Sequence, residues 1–263
     1  MFIEYMAFVL FGLVFGSFCN VLIYRLPRSI PIGLSRSRCN NCGTEIRSYD
    51  NIPVISFLVL RGKCRACGSG ISARYPIIEI STSFLWVLPL ILGQPLLEAA
   101  FSALFTTALL VIAVADFECL IVPDSMVIAI AVLSIPGLAM QLPPHWLDRL
   151  IGAFAAGAFF YLLAVLSERI LKKEGMGGGD IKLVAAGGLF LGWQLIALAI
   201  GLGAILALPA MILMRALLHK FNSDKQLPFA PPLAIAMVIS HYFGTKMIHW
   251  YLFSAIGFIP IKS

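Results

Sequence analysis

Residues 97–115 read LEAAFSALFTTALLVIAVA, a run with one charge, Glu98, that ends at Asp116. About 17 to 25 apolar residues in a row suffice to cross the hydrocarbon core as a helix. Similar windows fall at 3–24, 77–93, 124–141, 149–170, 182–198, 200–218 and 229–258, so the pattern predicts about eight spans. The boundary near Gly201 and Gly203 is soft because no charge interrupts that apolar run, and seven spans fit as well. Composition agrees. The 263 residues are 60% hydrophobic and 12% charged, with a mean hydropathy of +0.95, and one soluble core cannot bury so much apolar side chain. Disordered, fibrous and small disulfide-stapled classes are excluded. The expected fold is an all-α polytopic membrane protein.

The formal net charge of +6 could suggest a nucleic-acid partner, but the placement of the charges argues against one. Nine of the 19 Lys and Arg lie between Arg25 and Arg74, in the one long polar stretch. With eight spans and the N-terminus outside, the loops at 25–76, 116–124, 169–182 and 215–228 carry 16 Lys and Arg, and the rest of the chain carries three. The positive-inside rule places that first set of loops in the cytoplasm. The first apolar block has no basic residue before it, carries Glu4 and continues to Tyr24-Arg25 without a small-residue cleavage site. It reads as a retained span rather than a signal peptide. The expected organisation is a first span at 1–24, an insertion at 25–76 and a membrane domain at 77–263.

Within the insertion, Cys39-Asn-Asn-Cys42-Gly and Cys64-Arg-Ala-Cys67-Gly form two CxxC knuckles separated by 21 residues. This is zinc-ribbon spacing. Each turn brings two thiolates to one tetrahedral ion, and the glycine after the second cysteine permits a positive φ. Four thiolates leave no open position for water, so the expected zinc is structural. Two disulfides are the alternative, but a cytoplasmic insertion keeps its thiols reduced. Cys19 and Cys119 stand alone in apolar surroundings and read as packing residues.

Acidic residues in or at the ends of spans are informative because burying a charge in hydrocarbon costs at least about 2.5 kcal/mol. The candidates are Glu79, Glu98, Asp116, Glu118, Asp124, Asp148, Glu168 and Asp180. Asp116 sits at the cytoplasmic mouth of the third span. Asp180 ends the run Gly175-Met-Gly-Gly-Gly-Asp and opens the sixth, on the same side of the membrane. Four glycines in five residues disfavour helix and predict an irregular, open backbone, tolerated at membrane depth only beside protein or a wet cavity. Such a strip can accept an extended peptide through main-chain hydrogen bonds. A phosphate loop or nucleotide fingerprint is not supported, since there is no strand before the glycines and no GK[ST] after them. Two neighbouring carboxyl groups that share one proton are what an aspartic protease needs, one activating water and the other polarising the scissile carbonyl. An ion or proton pathway is the rival reading of the pair. Asp124 and Asp148 read as helix caps.

Several motifs, in order, resemble the bacterial type IV prepilin peptidases, the leader peptidase and N-methyltransferase enzymes of the GxGD aspartic class. Gly16-Ser-Phe-Cys-Asn-Val-Leu-Ile-Tyr-Arg-Leu-Pro27 resembles the family's GSFLNVVIYRLP opening, and Ile71-Ser-Ala-Arg-Tyr-Pro76 with Glu79 its ISxRYPxxE segment. Asp116 to Pro123-Asp124, Gly175 to Leu183 and Pro228-Phe-Ala-Pro231 resemble the Asp-to-PD, EGMGxGDxKL and PFGP stretches. The resemblance implies that Asp116 and Asp180 are the catalytic pair, with Gly177 and Gly179 as the glycines of GxGD beside the substrate. It selects Asp116 over Asp124 as the first acid and matches Cys39, Cys42, Cys64 and Cys67 to a zinc-type cluster.

The implied reaction is cleavage of a type IV prepilin or pseudopilin leader after a glycine, at the cytoplasmic face of the bacterial inner membrane. Methylation of the new N-terminal amine with S-adenosylmethionine as donor follows. Arg74, Tyr75 and Glu79 are candidate contributors to the second step, with capping and lipid-interface roles as their alternatives. Lys182, two residues beyond Asp180, either biases the acid pair or snorkels to the interface. Cys19, Ala230 and Glu118 depart from the family pattern without removing a catalytic group. The competing classes are a transporter or proton channel, and a non-catalytic component of a pilus or secretion machine.

Overall fold

In lipid every backbone N–H and C=O must find its partner within the chain, so long apolar segments close on themselves as helices. The computed structural model describes residues 2–33, 37–139, 144–171, 177–217 and 228–254. The helices among them are α1 (Phe2–Arg25), α2 (Ile55–Val59), α3 (Arg74–Ile91), α4 (Leu96–Cys119), α5 (Asp124–Ala139), α6 (Trp146–Leu171), α7 (Gly178–Leu191), α8 (Trp193–Leu217) and α9 (Ala230–Ser254). The segments Phe2–Arg28, Leu96–Cys119, Trp146–Ile170 and Trp193–Ala210 are long and apolar enough to cross a membrane. Phe2, Ile3, Phe154 and Ile212 are each at least 70% exposed. Apolar side chains turned outward along such helices mark a membrane protein.

Two helix boundaries differ from the sequence reading. The turn expected near Gly201 lies at Gly192, whose φ of +80° breaks the chain between α7 and α8, and α8 runs through Gly201 and Gly203. Apolar periodicity could not find this break because the residues on both sides are apolar, and only the left-handed backbone marks it. The glycine strip is also more regular than expected. Gly178 and Gly179 form the first turn of α7, with Gly177 extended before them, while Gly175 and Met176 lie outside the described residues. Glycine's entropic cost in a helix is about 1 kcal/mol per residue, which packing of α7 against α5 and α6 offsets.

The chain divides into two compact units, Met1–Val111 and Ile112–Ser263. In the first, α1 lies along α3. A Cβ on Gly12 would stand 2.5 Å from Ser83 Cα, and one on Gly16 2.6 Å from Glu79 Cα, so only glycine allows this approach. The Gly12 to Gly16 spacing is the small-xxx-small pattern of close helix pairs in membranes. Trp86 packs beside Phe8 and Phe15, and its indole N–H donates to Thr107 Oγ1 at 3.0 Å. In the second unit α6 and α7 meet at Gly152 and Gly188, where a Cβ on Gly188 would fall 2.5 Å from the Gly152 backbone. Buried Arg149 donates to the carbonyls of Leu189 and Phe190 at 3.4 and 3.1 Å, satisfying acceptors that the end of α7 leaves open.

Candidate active site and four-cysteine cluster

Asp116 lies in the last turn of α4 and is 6% exposed. Beyond it the chain leaves the helix through Leu120, in the left-handed region at φ +56°, with the Leu120 N–H donating to Asp116 O at 2.8 Å. Asp180 is the third residue of α7 and is 8% exposed. Its N–H donates to Gly177 O at 3.1 Å, so the extended glycine closes the first turn that carries the acid. The two carboxyl groups lie near enough to act on each other electrostatically. Gly179 makes that approach possible, because a Cβ there would stand 2.7 Å from Val122 Cβ, on the link that follows α4. At Gly177 the nearest atom to such a Cβ is Asp180 Oδ2, at an ordinary 3.8 Å.

A third element completes the site. The Ala230 N–H, at the start of α9, donates to Asp116 Oδ2 at 3.0 Å. The next two residues are Pro231 and Pro232, which have no N–H, and the Leu233 N–H is taken by Phe229 O. The first turn of α9 therefore presents one backbone donor at its positive end, and it points at the carboxyl of Asp116. Sequence reasoning quoted the Pro228–Pro231 motif without a role for it; the pair of prolines after Ala230 was the signal that could have singled out this amide.

The remaining acids lie elsewhere. Asp124 and Lys182 pair at 2.8 Å, with side chains 64% and 57% exposed, so the amine of Lys182 is engaged by Asp124. Glu118 is exposed on α4. Asp148, in the first turn of α6, accepts the Trp193 indole N–H at 3.1 Å.

In the first unit the two knuckles share one geometry. Cys39 N–H donates to Thr44 O and Gly43 N–H to Cys39 O, while Cys64 N–H donates to Ser69 O and Gly68 N–H to Cys64 O. Gly43 and Gly68 have φ of +70° and +71°, as the CxxCG pattern requires. The four sulfurs lie within 4.8 Å of one another, with Cys39 and Cys67 Sγ 3.9 Å apart. A tetrahedral zinc with bonds of about 2.3 Å sets its thiolates roughly 3.8 Å apart, so the cluster fits one metal ion. The Ser69 hydroxyl and N–H pull the Cys67 thiol down to about 6, and the N–H groups of Cys42 and Asn41 lower that of Cys39. Cys64 has N–H donors from Cys67 and Ala66, yet the Cys39 and Cys67 sulfurs beside it push its thiol up. Arg65 braces the cluster by clasping Asp50 at 2.7 to 3.1 Å. Cys19 is buried between helices and Cys119 is half-buried, both outside the cluster.

The family model for the bacterial Peptidase A24 N-terminal domain matches residues 10–92, and that for the Type IV leader peptidase family matches 103–212. A prepilin leader peptidase/N-methyltransferase of Aeromonas hydrophila is 33% identical, covering 92% of both chains. The chain belongs to the type IV leader peptidase family. Leader peptidase/N-methyltransferases of Stutzerimonas stutzeri and Bacillus subtilis are 34% and 30% identical, covering 94% of this chain and 94% and 98% of theirs. No solved structure matches. Asp116 and Asp180 fall in the leader peptidase segment and the four cysteines in the N-terminal domain, whereas Ala230 lies past the matched segment.

Proposed function

We propose that the protein is a membrane-embedded aspartic endopeptidase that removes the leader from type IV prepilins or pseudopilins and then N-methylates the new terminus. The observation that carries this reading is the buried pair of Asp116 and Asp180 with the Ala230 amide on one of them, in a chain alike over its length to prepilin leader peptidase/N-methyltransferases.

Asp116 and Asp180 share a proton. One carboxylate takes a proton from water as the oxygen attacks the scissile carbonyl; the other, protonated, donates to the carbonyl oxygen, and the proton gained is returned to the leaving amine. The Ala230 N–H holds the Asp116 carboxyl in place. Gly177 and Gly179 leave the backbone at Asp180 bare enough for an opened peptide strand to lie against it. S-adenosylmethionine supplies an electrophilic methyl group as a sulfonium cation. Its methyl carbon would pass to the neutral terminal amine as the S–CH3 bond breaks, with S-adenosylhomocysteine leaving and one proton released to solvent, and Arg74, Tyr75 and Glu79 are the residues read as contributing to that step.

The zinc is structural, held by Cys39, Cys42, Cys64 and Cys67 in an insertion spanning 25–76 between the first span, 1–24, and the catalytic membrane domain, 77–263. We read α1 and α3–α9 as eight spans in the bacterial inner membrane, N-terminus outside and site toward the cytoplasm, from the charge bias of the loops. With its 14 residues, α7 rises only about 21 Å against a core of about 30 Å. A helix that short sets Asp180 below the surface, where the apolar helix of a pilin would lie with its basic leader outside.

Cleavage of a prepilin by the purified protein, read by mass, tests the reading. Asp116→Asn and Asp180→Asn keep size but cannot exchange the proton, and each is expected to lower cleavage at least ~100-fold. Normal cleavage by either variant defeats the two-carboxylate mechanism. A non-catalytic assembly component would tolerate both changes.

A further inference from the structure

The polar stretch between α1 and α3 holds one apolar run, Ile52-Pro-Val-Ile-Ser-Phe-Leu-Val-Leu60, which includes α2. Ser56 is buried and Phe57 half-buried, while Ile55, Leu58 and Val59 are 57%, 67% and 69% exposed. Their spacing puts these three on one face of the helical turn. Such a face is unfavourable in water and marks a contact surface.

Depth decides what covers it. Helices α1 and α3 run antiparallel, with Gly16 against Glu79 and the Asn20 amide donating to Tyr75 O at 3.2 Å. The Val54 N–H donates to the Glu79 carboxylate at 2.7 Å, so α2 is fastened to the flank of the helix pair rather than beyond its ends. Glu79 lies about 8 Å along α3 from Arg74, and Gly16 about 14 Å before the end of α1 at Arg25. Helix α1 is long and apolar enough to cross a membrane, and Val14 and Phe18, on either side of Gly16 in the chain, are exposed. The turn therefore lies level with side chains that face lipid. Its backbone is closed as hydrocarbon demands. The Ile52 N–H donates to Ser56 Oγ at 2.9 Å, and the N–H groups of Ser56, Leu58 and Leu60 donate to the carbonyls of Ile52, Val54 and Ser56 at 2.9 to 3.1 Å. Arg61 and Lys63, both exposed, follow directly.

We propose that α2 is a lipid-embedded wedge. Ile55, Leu58 and Val59 sit among the acyl chains of the leaflet on the side of the four-cysteine module, and Arg61 and Lys63 meet the phosphates of anionic headgroups. The proposal goes beyond the leader-peptidase reading and requires only that α1 spans a membrane. Continuity with the lipid-facing surface of α1 and the basic pair beside the apolar face select lipid as the occupant. A water-soluble partner has no route to this depth. The wedge gives the module a hold on the bilayer besides the ends of α1 and α3.

Photolabelling of the full chain in phosphatidylethanolamine and phosphatidylglycerol vesicles tests the wedge without a variant, with a diazirine in the acyl chain and the label mapped by mass spectrometry. Label is expected on residues 52–59 as on the exposed face of α1, and not on the knuckles at 39–44 and 64–69. A labelled α1 with 52–59 unlabelled overturns the proposal, whether water or a protein covers the turn. The double variant Leu58→Asp, Val59→Asp is expected to cut acyl-chain label on 52–59 at least ~5-fold, because a carboxylate in hydrocarbon draws the turn toward water, while zinc content and the label on α1 persist. Undiminished label on 52–59 in that variant defeats the wedge. If the variant loses its zinc, the wild-type pattern alone decides.

Discussion

Asp116 and the Ala230 amide stand 114 residues apart in the chain and meet in one hydrogen bond, so the chemistry of this site is set residue by residue across distant segments. Gly179 and Gly177 illustrate how differently two glycines of one motif can act. Adding a methyl at Gly179 drives it into Val122, and overpacking of that kind costs roughly 1–3 kcal/mol. Gly179→Ala is therefore expected to lose cleavage by tenfold or more, whereas Gly177→Ala, with only ordinary van der Waals contact and an extended backbone, stays within about threefold by the same packing argument; initial rates on one prepilin separate the two. Asp124 offers the matching control. Its exposed pair with Lys182 is worth about 0–1 kcal/mol, so Asp124→Asn should cleave at close to the wild-type rate. A dead Asp124→Asn variant that still folds would move the first acid from Asp116 to Asp124.

Helices supply the next level of constraint, because each site residue sits at an element's end. Asp116 closes α4, Asp180 opens α7 and Ala230 opens α9, and helix ends are where backbone groups remain free to bond side chains. In the first unit, the close approach of α1 to α3 requires glycine at 12 and 16. Gly16→Leu should force the pair apart and lower the temperature at which the detergent-solubilised protein unfolds. The four-cysteine knuckles carry a pH-dependent brace. Arg65 beside Asp50 holds that carboxyl below the usual carboxylate range, so the pair's contribution is complete above the ordinary Asp value near ~3.9 and fades as pH falls through the depressed one. Asp50→Asn is accordingly expected to speed zinc extraction by a chelator at pH 7 and to make no difference in strong acid, where the thiolates are protonated as well.

Taken whole, the molecule is a chain of apolar helices with one polar stretch that carries a four-cysteine cluster able to hold a metal ion. One zinc per chain is expected by metal analysis, falling to none in Cys64→Ser. A metal-free, disulfide-linked preparation from a reducing cytoplasm would defeat the zinc reading. Much of this was legible beforehand. Hydropathy marked the apolar helices because lipid demands long uninterrupted apolar runs. The CxxCG spacing announced the knuckles and their left-handed glycines because a tetrahedral ion fixes local geometry. The burial cost of charge narrowed attention to eight acids at or in the spans, and only the family resemblance chose Asp116 and Asp180 from among them. The break at Gly192 was not legible, since a change of backbone φ inside an apolar run leaves hydropathy unchanged, and neither was the helical start of α7, where packing overrides glycine's preference. Nor could the sequence alone join Asp116 to the Ala230 amide, oppose Gly179 to Val122, or hold the Val54 amide against Glu79. Those are contacts between segments far apart along the chain, and local propensity carries no record of them until helices pack and bring their ends together.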